Sequence, residues 1–144
     1  MIEASILDTG PLVAFLQSNE QHHLWVAEQF KQLPPKFLTC EPVLTESCFL
    51  LGFAAPAMKQ IDRFLELGVI QIPFQFVSDR RPVMQLMHTY RNVPMSLADA
   101  CLVRMSELYP DAPVFTLDED FRIYRRNRRQ QIRTIMPAGK SSAL

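Results

Sequence analysis

The chain has 144 residues, which fits one domain. It carries 48% hydrophobic and 21% charged residues, with a formal net charge of zero. These values are typical of a globular protein and not of a disordered or strongly basic one. Its three cysteines are too few, and odd in number, for a disulfide framework. None of them lies in a C-x-x-C pair, which argues against a thiolate metal site. No apolar run reaches the roughly 18 residues of a membrane span, and Glu3 stands where a signal peptide would carry basic residues, so we expect a cytoplasmic protein with no membrane contact.

Short apolar runs alternate with longer amphipathic stretches through the first half of the chain, a pattern of strands and helices. A strand at residues 4–7 ends at Asp8-Thr9-Gly10-Pro11, which predicts a strand-to-helix turn because Pro11 suits an early helix position. The elements predicted next are a helix to Leu16, a helix over 20–33 with Leu24, Ala27 and Phe30 facing inward, a strand at 37–40, a helix from Pro42 to about Phe53, a helix from Pro56 to Gly68, and a strand at 69–72.

The second half continues the same alternation. Its predicted elements are helices over 80–90 and 96–108, a strand at 113–117, a short basic helix, and a last strand around 132–135. We therefore predict an α/β fold with one domain over residues 1–136, a mostly parallel central sheet flanked by helices, and a loose tail over 137–144. Such sheets place their sites beyond the carboxyl ends of the strands, which is where Asp8 and Asp118 stand.

Three of the acids near these strand ends have an alternative, structural explanation. Asp8 could N-cap the following helix, Asp99 could complete a capping box with Ser96, and Asp118 could cap the short helix that runs into Phe121. As a group, however, carboxylates that converge at one edge of a sheet repel each other by about 4 kcal/mol per close pair at an effective dielectric constant near 20. A bound cation would relieve that repulsion.

Glu46 is the fourth acid, and the helix pattern places it on one face with Phe49, Leu50 and Phe53. If this face points to the core, the carboxylate needs a partner, because burying it unpaired is costly. No Lys or Arg occurs between residues 36 and 59, so a metal ion is the available partner unless the face lies at the surface.

Carboxylate oxygens prefer hard ions, so the acids predict Mg²⁺ or Mn²⁺. The three histidines show no ligand-like spacing to the acids, and no histidine or cysteine nucleophile is required. Six arginines crowd the segment after the last acids, and we expect Arg122, Arg125 and Arg126 to contact a polyanionic substrate, with a solvated helix face as the alternative.

Four segments resemble, in order and spacing, the motifs of the PIN-domain nucleases, a family that includes the VapC-type toxins of bacterial toxin–antitoxin pairs. The segments are Ile6-Leu7-Asp8-Thr9-Gly10-Pro11-Leu12, Pro42-Val43-Leu44-Thr45-Glu46, Leu97-Ala98-Asp99-Ala100 and Thr116-Leu117-Asp118-Glu119-Asp120-Phe121. Each segment alone is a weak signal, but the ordered set is fairly specific and covers most of the chain.

The resemblance implies a single PIN-like domain that hydrolyses phosphodiester bonds as a metal-dependent endoribonuclease. Carried over residue by residue, it implies a catalytic and metal-binding quartet of Asp8, Glu46, Asp99 and Asp118, an additional metal ligand, Asp120, and a hydroxyl near the metal, Thr116. One or two ions would acidify a water molecule and neutralise charge on the scissile phosphate. Family members are frequently homodimers and many are inhibited by an antitoxin, so RNA, an antitoxin protein and a second copy are the implied partners.

Other folds that use a catalytic aspartate fit less well. A receiver domain needs a second acid beside Asp8 and a lysine late in the sheet, but Thr9 and Gly10 follow Asp8 and the only late lysine is Lys140. A D-x-D phosphatase is disfavoured because position 10 is glycine, and an RNase H-like nuclease would begin with an antiparallel meander. The alternative from another class is a catalytically silent PIN-like domain that binds RNA or a protein partner, which the presence of all four acids disfavours.

Overall fold

A five-stranded parallel sheet forms the centre of the structure, a computed structural model that describes residues 2–138. The strands of the described residues are β1 (Ser5–Leu7), β2 (Phe37–Leu38), β3 (Ile70–Gln71), β4 (Val114–Phe115), β5 (Arg125–Arg126), β6 (Gln130–Gln131) and β7 (Thr134–Ile135). The sheet order is β3-β2-β1-β4-β7 with every neighbouring pair parallel, while β5 and β6 form a separate antiparallel hairpin. The carboxyl ends of the five central strands therefore meet at one edge.

The helices fall between the strands, as the alternating pattern predicts. They are α1 (Thr9–Leu16), α2 (His23–Gln32), α3 (Glu41–Leu50), α4 (Ala55–Glu66), α5 (Arg80–Thr89), α6 (Leu97–Leu108) and a short 3-10 helix (Glu119–Arg122). The α/β class with a mostly parallel sheet is thus confirmed, and the predicted helix bounds differ from the observed ones by a few residues. No helix within residues 2–138 is long and apolar enough to cross a membrane.

The sheet has a hydrophobic core on each face, because successive strand residues point to opposite sides. Ile6 packs into the core shared with α5 and α6, whereas its neighbour Leu7 packs into the core shared with α1 and α2. Val114 and Phe115 of β4 divide in the same way. Each of these four side chains is fully buried and stabilises the fold by roughly 1.5–3 kcal/mol.

Local sequence explains where the site-bearing helices begin. The Asp8 carboxylate accepts a hydrogen bond from the Thr9 amide and caps α1, and Ser96 forms a capping box with Asp99 at the start of α6. Gly10 lets α1 approach the segment after β4 closely, since a Cβ at this position would lie 3.3 Å from the Cβ of Leu117. Both helices consequently start at the carboxyl edge of the sheet.

The predicted inward face of α2 is partly wrong. Leu24 is 84% exposed, and Val26 is the fully buried residue of this helix, with Phe30 and Leu33 packed against the same core. Those three positions follow helical spacing, and Leu24 lies two residues from Val26, which turns it to the opposite side. Ala27 and Phe30 are half-buried.

The predicted short basic helix is also wrong beyond its first turn. The 3-10 helix ends at Arg122, and the arginine-rich segment then forms the β5–β6 hairpin. Asn127 and Arg128 have positive φ values of 49° and 72°, a left-handed conformation that turns the chain and is incompatible with a continued right-handed helix. The predicted loose tail lies, from residue 139 onward, outside the described residues.

Candidate active site

Three of the predicted site acids lie at the carboxyl edge of the sheet. Asp8 directly follows β1, Asp118 follows β4, and Asp99 lies in the first turn of α6. Asp8 is buried, and the other two are half-buried. The negative charges of Asp99 and Asp118 both act on Asp8, so these three carboxylates form one electrostatic cluster.

Asp8 is the most deeply buried member of this cluster. Its Oδ1 accepts a hydrogen bond from the Thr9 amide, and its Oδ2 accepts one from the Thr116 hydroxyl, each at 2.7 Å. Burial nevertheless raises the pKa of Asp8 from 3.8 to about 7, against the lowering effect of these two hydrogen bonds and with a further rise from the charges of Asp99 and Asp118. Without a counter-charge, Asp8 is therefore poised to titrate near neutral pH.

Thr116 links Asp8 to Asp118. Its Oγ1 donates to Asp8 and accepts a hydrogen bond from the Asp118 amide at 2.9 Å. The Oδ1 of Asp118 in turn accepts from the Asp120 amide at 2.9 Å and caps the 3-10 helix. The pKa of Asp120 is raised by partial burial and then by the charges of Asp118 and Glu119, which places Asp120 at the margin of the cluster.

Asp99 combines the structural role predicted as an alternative with a place in the cluster. Its amide donates to the Ser96 hydroxyl at 3.0 Å, and its Oδ2 accepts from the Ser96 amide at 3.4 Å and from the Tyr124 hydroxyl at 3.0 Å. Burial raises the pKa of Asp99, opposed by the hydrogen bonds from Tyr124 and Ser96, and the charge of Asp118 raises it further. Capping and clustering therefore occur in the same residue.

Tyr124 is a site residue that the sequence analysis missed. It is fully buried, and its ring makes edge-on contacts with Phe121 and Tyr90 at centroid distances of 5.2 Å and 5.1 Å. Burial raises the pKa of its hydroxyl, and the neighbouring Asp99 raises it further, so the group remains a hydrogen-bond donor. Its position within the arginine-rich segment concealed it, since only the tertiary packing brings it to Asp99.

Glu46 does not lie on a face of α3 that points to the core. Phe49, which shares its face of α3, is 70% exposed, and Glu46 is itself exposed. The core-facing position predicted for Glu46 is therefore wrong, and the predicted alternative, a surface-facing helix, is the one observed. Its Oε2 still accepts a hydrogen bond from the Thr9 hydroxyl at 3.2 Å, which places Glu46 next to Asp8 at the rim of the cluster.

The donor set suits a hard divalent ion, although it is not assembled as a ligand cage. Within residues 2–138, no group of three or more His, Cys, Asp or Glu side chains is arranged to hold a metal ion. Mg²⁺ commonly keeps several waters and binds through one or two carboxylates together with substrate phosphates, so it does not require such a cage. The buried carboxylate of Asp8 and the half-buried, mutually repelling carboxylates of Asp99 and Asp118 offer the oxygen ligands that such an ion prefers.

The three arginines predicted to bind substrate donate hydrogen bonds to other atoms of the protein. Arg122 donates to the Met136 sulfur, Arg125 donates to the carbonyl oxygens of residues 122–124, and Arg126 donates to the carbonyl oxygens of Ser106 and Pro110. Ser106 follows Asp99 by seven residues in α6, which is roughly 10 Å along the helix. The hydrogen bonds of Arg125 and Arg126 are structural, and a contact of these arginines with substrate stays a prediction.

Comparison with known proteins places this arrangement in a family. The sequence model of the PIN domain matches residues 5–127, a range that contains all four acids. Among solved structures, Mycobacterium tuberculosis VapC20, a Sarcin-Ricin loop cleaving toxin, has a similar fold, with a TM-score of 0.71 and 15% identity over 80% of this chain and 90% of that chain. A search of curated proteins finds no match. The chain belongs to the PIN domain family, as the four sequence segments predict.

Proposed function

We propose that this protein is a divalent-metal-dependent endoribonuclease whose catalytic site is the quartet Asp8, Glu46, Asp99 and Asp118, with Asp120 at its margin. The observation that carries the proposal is the buried carboxylate of Asp8, which faces the charges of Asp99 and Asp118 at the carboxyl edge of a PIN fold. A cluster of this kind is unfavourable unless a cation neutralises it.

The ion pairs within the described residues leave the acidic cluster without a positive partner, which favours a bound cation. The pairs within residues 2–138 are Arg63–Glu66, Arg104–Asp79 and Arg104–Glu107. None of them includes a site acid, so in the described part of the chain no basic side chain neutralises the cluster. A bound Mg²⁺ or Mn²⁺ would supply this charge, acidify a water molecule and neutralise the scissile phosphate.

The chain's own residues hold the carboxylates in place. Thr116 and the Thr9 amide fix the two oxygens of Asp8, and the Thr9 hydroxyl positions Glu46 beside it. Tyr124 fixes one oxygen of Asp99. Each oxygen of Asp8 accepts one of these hydrogen bonds and keeps a second lone pair. Asp99 accepts both of its hydrogen bonds on Oδ2, so its Oδ1 remains available to bind a metal within the described residues.

RNA is the substrate that the relatives favour. The structurally similar VapC20 is described as a toxin that cleaves the Sarcin-Ricin loop. By this analogy we propose that the present chain cleaves RNA as the toxin of a toxin–antitoxin pair, that an antitoxin protein inhibits it, and that it acts as a homodimer.

A catalytically silent domain that binds RNA or a protein partner is the second candidate. It is favoured by the local role of each aspartate, because Asp8, Asp99 and Asp118 all cap a helix and would be retained for that reason alone. This candidate predicts binding without cleavage under any metal condition.

Metal addition and removal separate the two candidates. We expect wild-type protein to cleave RNA of mixed sequence with Mg²⁺ or Mn²⁺, to stop in EDTA, and to recover when Mn²⁺ is restored. The activity should survive alanine substitution of each histidine and each cysteine, with circular dichroism as the check on folding for the buried Cys40 and Cys101. Cleavage that continues in EDTA, or that disappears with His88→Ala alone, would contradict the metal-only mechanism.

Tyr124→Phe tests the positioning of Asp99. The variant keeps the ring contacts and removes the hydroxyl that donates to Asp99 Oδ2. We expect cleavage and Mn²⁺ affinity to fall by about 10–100-fold, as for other groups that orient a metal ligand. Mn²⁺ affinity is read from the metal-induced rise in melting temperature. An unchanged Mn²⁺ response in a folded Tyr124→Phe protein would show that the tyrosine serves packing alone.

A further inference from the structure

The β5–β6 hairpin carries two arginines that the fold does not use. Arg128 and Arg129 lie at its tip and are exposed. Their side chains make no hydrogen bond or ion pair with any other residue of the part of the chain described, residues 2–138. These two positive charges are therefore presented to the solvent.

The base of the same hairpin is firmly anchored to α6. The Arg126 guanidinium donates to the carbonyl oxygens of Ser106 and Pro110, and the Asn127 amide donates to the Glu107 carboxylate at 2.7 Å. Two arginines of the segment, Arg125 and Arg126, thus fix the hairpin through backbone carbonyls. The backbone that carries Arg128 and Arg129 is therefore attached at a defined place on the surface.

The backbone at the tip is one that an arginine does not favour. Arg128 has φ of 72°, in the left-handed region where glycine is the residue without steric cost. Unfavourable backbone conformations persist when the surrounding structure enforces them, and they concentrate at functional sites.

A groove of about 590 Å³ lies between this tip and α5, and its walls combine polar side chains with the apolar Pro82 and Leu86. Gln85, Thr89, Tyr90 and Arg128 contribute to its lining, and the volume lies within the range of small-ligand sites. Glu107 also lines it, but that carboxylate is paired with Arg104 at 3.0 Å and accepts from the hairpin backbone. The remaining unpaired charge at this groove is positive.

We propose that Arg128 and Arg129 form a second RNA-contact site, in which they bind backbone phosphates and the adjacent groove receives a nucleotide of the same strand. The hairpin that carries these arginines is anchored to α6 at Ser106, roughly 10 Å along the helix from Asp99. The inference rests on the proposed function only in taking RNA as the polyanion.

Salt-dependent binding of a labelled single-stranded RNA in EDTA tests the site without cleavage. For the double variant Arg128→Gln/Arg129→Gln, we expect the log–log slope of affinity against salt to become shallower by about 1.4, since each single-strand phosphate contact contributes about 0.7. The corresponding loss of affinity at about 0.1 M salt is roughly 25-fold. The matched control is Lys31→Gln/Lys59→Gln, which removes two exposed charges from α2 and α4 and should keep the wild-type slope.

Two single variants guard against a folding artefact. Arg128→Gly relieves the strain of the left-handed backbone, so this variant should melt at the same or a higher temperature than wild type. Its salt dependence should still become shallower, by about half of the change expected for the double variant. Arg129→Gln leaves the turn at Arg128 unchanged, and the slope of its salt dependence should become shallower by the other half of that change. Identical slopes for the hairpin double variant and the lysine control would overturn the inference.

Other outcomes separate this inference from the proposed function. Hairpin-dependent RNA binding by a wild-type protein that cleaves nothing with Mn²⁺ would refute the nuclease and leave the contact site standing. Metal-dependent cleavage, with no effect of the hairpin variants on binding, would support the nuclease and refute the contact site. Equal competition by an acidic polypeptide would overturn the assignment of the ligand as RNA.

Discussion

Asp99→Asn is expected to produce a folded protein that no longer cleaves RNA. The amide keeps an oxygen that can accept from the Tyr124 hydroxyl and the Ser96 amide, and it removes one negative charge from the cluster. A charged metal ligand supplies several kcal/mol of transition-state stabilisation, which corresponds to a loss of about 10³-fold in cleavage rate. Cleavage of labelled RNA in Mn²⁺ is the measurement.

Thermal melting distinguishes this functional role of Asp99 from capping alone. In metal-free buffer the Asp99→Asn protein should melt at the same or a higher temperature than wild type, because the charge of Asp118 acts unfavourably on the carboxylate of Asp99. Added Mn²⁺ should raise the wild-type melting temperature more, since a ligand stabilises only the state that binds it. Asp62→Asn, at an exposed position on α4, is the matched control and should change neither result.

The capping explanation makes the opposite prediction. If Asp99 serves only the first turn of α6, its replacement should lower stability by up to around 1 kcal/mol and leave the Mn²⁺ response unchanged. A destabilised Asp99→Asn protein with a wild-type Mn²⁺ response would therefore remove Asp99 from the proposed site.

The sheet and its edge could be predicted because their signals are local. The apolar run before Asp8, the proline at position 11 and the box from Ser96 to Asp99 each specify a strand end or a helix start within a few residues. A parallel sheet then brings its strand ends together at one edge. That is why Asp8, Asp99 and Asp118 could be assigned to one place from the sequence.

Features that depend on distant packing could not be predicted in this way. The stripe of Phe49, Leu50 and Phe53 has the composition of a core face, yet all three are more than half exposed, so the hydropathy pattern gave the wrong side for Glu46. Nothing local shows that the Tyr124 hydroxyl reaches Asp99, residues that lie 25 positions apart in the chain. The hairpin required positive φ at Arg128, which composition does not indicate.

Asp8→Asn should abolish most of the loss of stability that the metal-free protein shows as the pH rises from about 4 to about 7. Burial raises the folded-state pKa of Asp8 from 3.8 to about 7. Between these values the unfolded chain releases the proton while the folded protein retains it, so the free energy of unfolding decreases with rising pH. This contribution is fully present below the unfolded pKa and is lost once the pH passes about 7.

The expected size of this effect makes it measurable by urea denaturation in EDTA. A rise of about three pKa units corresponds to roughly 4 kcal/mol between the two ends of the range. The pKa of Asp99 is also raised, so the free energy of unfolding of the Asp8→Asn protein should still fall with rising pH, with a smaller slope. Asp62→Asn should retain the full wild-type slope, and equal slopes in Asp8→Asn and wild type would show that Asp8 does not carry the effect. Because an ion that binds the ionised carboxylates opposes their protonation, Mn²⁺ should flatten the wild-type profile above about pH 6 and leave that of Asp8→Asn nearly unchanged.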